Sequence, residues 1–113
     1  MPYFLTEASY TAESWKAQIA NPQNRAEQLA KLMEGVGGRL LSFYYSFGEY
    51  DAVLISEAPD ATAVASVLIA AAGGGAVSKL HTTALLTAEE GLDAIRRAKK
   101  VGYTPPGAAK RAR

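Results

Sequence analysis

The sequence predicts an α+β domain of the ferredoxin-like type, a β-α-β-β-α-β sandwich with one extra helix at its C-terminal end. Three observations point there. Residues 3–10, 39–47, 51–57 and 76–86 are rich in β-branched, aromatic or alternating apolar residues. Helix-period apolar stripes separate the first run from the second and the third from the fourth. The link Gly48-Glu49 is short and contains glycine, which suits a hairpin.

Tyr3, Phe4, Leu5 and Tyr10 suit the first strand. Thr11 is placed to cap a helix in which Trp15 and Ile19, four apart, share a face. Asn21-Pro22 interrupts that helix, because proline disfavours helical geometry in the residue before it. A second helical stretch follows, with Leu29, Leu32, Met33 and Val36 as a one-sided stripe. Gly37-Gly38 closes it. Strand 39–47 is predicted to carry Leu41, Phe43, Tyr45 and Phe47 on one face, and Leu40, Ser42, Tyr44 and Ser46 on the other. Asp51 to Glu57 forms its hairpin partner. Pro59-Asp60 opens a helix through Ala72, stopped by Gly73-Gly74-Gly75. After the fourth strand, Thr87-Ala88-Glu89-Glu90 has the form of a capping box and opens a last helix over about 88–100. The domain is expected to span 1–102, followed by a Pro/Gly-bounded basic tail, 103–113.

The chain has 113 residues, 12 Lys+Arg, 11 Asp+Glu, one His and no Cys. Its net charge of +1 hides a division: residues 1–95 carry a net −6 and residues 96–113 a net +7. Arg96, Arg97, Lys99 and Lys100 fall in the last turns of a helix, where cations complement the dipole. Lys110, Arg111 and Arg113 lie on the tail and are expected to serve assembly. Without cysteine there is no disulfide scaffold, thiol nucleophile or Cys-ligated metal. The most apolar stretch, 61–72, is about twelve residues, short of the roughly 20 that span a bilayer. No membrane association is expected, and the expected location is cytoplasmic.

The chemistry available is sparse. His81 is the one imidazole, and with Tyr45 it is the candidate for proton transfer. One His and scattered carboxylates predict no metal site, and no cofactor is expected. Glycines 73–75 close a helix, whereas a phosphate loop opens one. Aromatic Phe43, Tyr44 and Tyr45 could suggest an RNA-binding sheet, but the acidic body would repel phosphates, so no nucleic acid is expected. Tyr44, Tyr50 and Trp15 are candidates to line a pocket for a small organic ligand. Two helices cover one sheet face, and the other face should be polar in a monomer. Instead, Val53 and Ile55 on one face and Ala52 and Leu54 on the other leave both faces apolar. A second copy, sheet against sheet, would cover the exposed one. The alternative is that the C-terminal helix folds back over it.

Gly48-Glu49-Tyr50-Asp51, followed by Ala-Val-Leu-Ile-Ser-Glu-Ala-Pro-Asp, resembles the G-x-Y-D signature of the GYD domain family. Gly37-Gly38-Arg39-Leu40, Ser42-Phe43-Tyr44, Thr82-Thr83-Ala84-Leu85-Leu86-Thr87 and Gly102-Tyr103-Thr104-Pro105-Pro106 extend the resemblance over nearly the whole chain. It implies a dimeric α/β barrel. Related barrel families include cofactor-free monooxygenases, isomerases, haem enzymes and ligand binders, so the fold leaves the activity open. The expected function is therefore a homo-oligomeric small-molecule-binding or accessory module. The alternatives are a cofactor-free enzyme on a small aromatic or polyketide-like substrate, and a purely structural oligomer. Within the motif, Gly48 is expected to permit a tight or positive-φ turn, Tyr50 to pack its ring, and Asp51 to bond turn amides.

Overall fold

The computed structural model describes residues 1–107. Eight elements follow in order: β1 (Tyr3–Tyr10), α1 (Ala12–Ala20), α2 (Arg25–Gly35), β2 (Arg39–Tyr45), β3 (Ala52–Glu57), α3 (Ala61–Gly73), β4 (Val77–Leu85) and α4 (Ala88–Val101). The strands form one antiparallel sheet in the order β2-β3-β1-β4. The first crossover is two short helices, because the chain bends at Asn21-Pro22. Asn24 restarts the helix, its side chain accepting from the Ala26 and Glu27 N–H groups.

Alternation along β1 and β3 sorts the sheet into two faces. Phe4, Thr6 and Ala8 of β1, with Ala52, Leu54 and Ser56 of β3, are buried. Phe4 packs with Met33 of α2 and with Val64 and Val67 of α3. Leu29, Val36 and Leu68 close the same core. Buried Thr6 shares a hydroxyl–hydroxyl hydrogen bond of 3.1 Å with Thr82 of β4, so a polar group is tolerated there. Of the stripe expected on α2, Leu32 stays exposed and Met33 takes the central place. Ile19 is likewise exposed while Trp15 is half-buried. The nine-residue α1 stops at Asn21 and buries no residue fully.

Strand β2 departs from simple alternation. Its register against β3 shifts between Leu40 and Ser42. Leu40, Phe43 and Tyr45 pair with Ser56, Leu54 and Ala52 and so share the helix-covered face. The expectation that Leu41 joins Phe43 and Tyr45 is corrected: Leu41 is the extra residue of a bulge, which reverses the alternation on either side of it.

The opposite sheet face carries Tyr3, Leu5, Glu7, Val53, Ile55 and Tyr44, with Lys79, His81 and Thr83 on β4. It is apolar at Leu5, Val53 and Ile55, as expected, but polar along β4 and at Ser42, Arg39 and Glu57.

Helix α4 begins two residues after β4. The Thr87 side chain accepts from the Glu90 N–H, and the Glu90 carboxylate accepts from the Thr87 N–H at 2.9 Å. That pairing holds the Glu90 carboxyl below its usual range. Gly102, at φ 68°, ends the helix in the left-handed region. No residue of α4 is buried, so the helix does not fold back over the open face. The radius of gyration is 19.1 Å, against about 13 Å for a compact chain of this length. The basic tail residues Lys110, Arg111 and Arg113 lie outside the described residues. Among the described residues, no helix is long and apolar enough to cross a membrane.

Candidate functional site

The residues singled out from the sequence divide into two groups on opposite sides of the sheet. Trp15 and Tyr45 meet on the helix side, 6.5 Å between ring centroids. Tyr10 joins them edge-on to Trp15 at 5.1 Å, and Phe43 packs edge-on to Tyr45 at 5.3 Å. Burial pushes the Tyr10 phenol above its ordinary value, and Tyr45 beside it pushes the same way; Arg25, beside it at the start of α2, pulls part of the way back. Arg25 was not among the sequence candidates. Its one signal is its place directly after the Asn24 cap, and nothing local says that this turn faces the end of β1.

Behind these rings lies a cavity of about 70 Å³, lined by Tyr10, Arg25, Leu29, Phe43, Leu68 and Val77, among others. Pockets for drug-sized ligands run to about 300–1,000 Å³. An open groove of about 450 Å³ lies nearby, between α1 and the Gly74–Ala76 turn, with Glu13, Ser14, Gln18 and Arg25 along it.

His81, Tyr44 and Tyr50 lie on the open side. His81 Nδ1 is 3.7 Å from a Glu7 carboxylate oxygen, which is beyond a hydrogen bond. The Tyr50 ring is 6.4 Å from the His81 ring, and Lys79 Nζ sits 4.7 Å over it. Lys79 also pairs with Glu49 at 2.9 Å. This contact holds the Glu49 carboxyl below its usual range and raises the Lys79 ammonium, both at the exposed surface. Glu7 is the partner that sequence reading missed, though period-two alternation places it on this face. His81 and Tyr45 are thus separated by the sheet itself, and no wall encloses His81. Replacing His81 with alanine is expected to change the unfolding free energy by less than about 0.5 kcal/mol. Urea unfolding measures this, and a larger loss would make the Glu7 contact a structural pair.

The G-x-Y-D segment is a tie between strands. The Ser46 N–H donates to the Asp51 carbonyl at 2.8 Å, and the Ser46 hydroxyl to the Tyr50 carbonyl at 2.6 Å. The Asp51 N–H donates to the Ala8 carbonyl at 2.8 Å. Asp51 Oδ2 accepts from the Tyr10 N–H at 2.8 Å. The carboxylate thereby continues the β1–β3 ladder one step past the start of β3. Two expectations are corrected. Asp51 bonds a distant strand amide, and Gly48 has neither a positive φ nor a neighbour within 4 Å of an added β-carbon. Among the described residues, no three His, Cys, Asp or Glu cluster to hold a metal.

An antiparallel sheet with helices on one face, an open second face and a projecting C-terminal helix defines an α+β domain with surfaces left for association. The family model for the GYD domain matches residues 4–95, and the chain belongs to this family. A Thermus thermophilus protein, named glutamine synthetase and cystathionine beta-lyase binding protein, is 29% identical over 89 residues. The match covers 79% of this chain and 94% of that protein. Arg96 and the residues after it lie beyond the family match.

Proposed function

We propose that this chain is a homo-oligomeric accessory module that binds other proteins, and that its open sheet face packs on a second copy as a dimeric α/β barrel. The open face carries the reading. Leu5, Val53, Ile55 and Tyr44 lie there with no helix of this chain over them, in a sheet whose other face holds the whole core. Apolar area of this kind is stabilised by association. The enclosed cavity is only about 70 Å³ and the groove of about 450 Å³ is open to solvent, which favours the accessory reading over a small-molecule binder. The separation of His81 from Tyr45 favours it over a cofactor-free enzyme. The relative's name supplies the first partners to test, glutamine synthetase and cystathionine β-lyase.

The test mixes the purified full chain with each enzyme from the same source and reads mass by light scattering after size exclusion. Co-elution with either enzyme is the expected result. A lone monomer that binds neither would overturn both parts of the proposal. Val53→Arg separates them: it places a charge at the centre of the open face and is expected to halve the homo-oligomer mass, an isologous contact being lost from both copies at once.

A further inference from the structure

We propose that α4 pairs with the α4 of a second copy of this chain, antiparallel and about a two-fold axis. At about 100° per residue, Gly91, Ala94, Ile95 and Ala98 fall in the middle of one half of the helix surface, with Leu92 and Val101 at its two edges and Lys99 beside Leu92. That half is uncovered: Leu92 is 48% exposed, Ile95 69% and Val101 72%. An amphipathic helix this regular gains its stability from burying its stripe on a partner.

The helix buries none of that stripe on its own sheet. Leu86 and Thr87 are its entire connection to β4. Thr87 is also the N-cap, locked to Glu90 by two hydrogen bonds. No residue of α4 is buried against its own chain, and a second molecule is the surface assigned to the stripe.

Charge selects which surface. Glu89, Glu90 and Asp93 make the first half of α4 acidic, and Arg96, Arg97, Lys99 and Lys100 make the second half basic. An antiparallel pair lays each acidic half along the other helix's basic half, at both ends of the contact. A parallel pair would set like charges together. The open sheet face of a second copy offers the basic half little acidity, since Glu49 and Glu57 are met there by Lys79 and Arg39 and only Glu7 is left without a Lys or Arg partner. The helix's own dipole favours the same order of charges, but it leaves the apolar stripe in water. Pairing satisfies both.

The experiment follows mass against concentration by analytical ultracentrifugation, with the full chain and no other protein present. It therefore stands or falls apart from the binding of any enzyme. The double variant Leu92→Glu/Ile95→Glu alters exposed positions, so the body should keep its fold, checked by circular dichroism. In a Val53→Arg background, which removes sheet-face association, it is expected to move the remaining association to at least about tenfold higher concentration. Glu89→Lys/Asp93→Lys and Arg96→Glu/Lys100→Glu should each weaken association alone. Mixed in equal amounts they should restore it, because a net-basic helix then meets a net-acidic one. Loss of the helix dipole, or of the internal Asp93–Arg97 pair at 2.9 Å, cannot be rescued by mixing. An unchanged curve for Leu92→Glu/Ile95→Glu in that background would overturn the proposal. Weakened single variants without rescue on mixing would overturn the antiparallel pairing.

Discussion

Replacing Gly38 with alanine should destabilise the fold by about 3 kcal/mol, the upper part of the range for overpacking a filled site. A β-carbon at this position would stand 2.5 Å from the Glu57 carbonyl oxygen, 3.1 Å from the Met33 methyl and 3.3 Å from the Ala58 Cα. Two of these are backbone and cannot turn aside. Gly38 directly precedes β2, whose first residue, Arg39, pairs with Glu57. Its own N–H donates to the Met33 carbonyl at 2.8 Å, closing α2. Relief of the clash therefore separates β2 from β3, or lifts α2 from the core around Met33. The urea midpoint should fall with an unchanged slope, and thermal unfolding should come roughly 12–20 °C earlier. Gly48→Ala is the control. It meets open space at a non-positive φ, so its cost should stay within about 0.5 kcal/mol. Equal losses at the two sites would mean that the close approach at Gly38 does not set the packing.

The second large effect is at Asp51. Asp51→Ala leaves the Tyr10 N–H, now bonded at 2.8 Å to the carboxylate, without an acceptor at a half-buried strand end. Losing a hydrogen bond to a charged group there should cost about 1.5–3 kcal/mol. Asp51→Asn keeps an acceptor and should lose less. The effect is also local. Tyr10 stacks edge-on against Trp15, the single tryptophan of the chain. A freed strand end should therefore shift Trp15 emission before global unfolding. If Asp51→Ala bound the proposed protein partners poorly yet unfolded at the same temperature, the carboxylate would be a recognition group and not a strap.

The value of the motif residues changes with this geometry. Read as a string, Gly48-Glu49-Tyr50-Asp51 looks like a hairpin turn whose glycine matters most. In the fold, Asp51 ties β3 to β1, Glu49 and Tyr50 hold Lys79 on the open face, and the glycine is sterically replaceable. The glycine that is not replaceable, Gly38, reads locally as the end of a helix. Its constraint comes from Glu57, which is distant in sequence.

The amino-acid sequence by itself determined the class of fold and the order of its parts. β1 runs over Tyr3–Tyr10 as read from composition, and Thr11, Asp60 and Thr87 cap their helices. Asn21-Pro22 divides the first crossover. These signals work because propensity, capping and proline sterics act within a few residues of one another. The tertiary structure alone decided the rest. A one-residue bulge chose the face of Leu40, the sheet separated His81 from Tyr45, and a contact across 41 positions gave Asp51 its role. It also left α4 uncovered. Each of these depends on register or on the direction an element takes after its last local contact. A shift of one residue reverses a strand's faces, and a two-residue link decides whether a helix returns to its own sheet or reaches for another molecule.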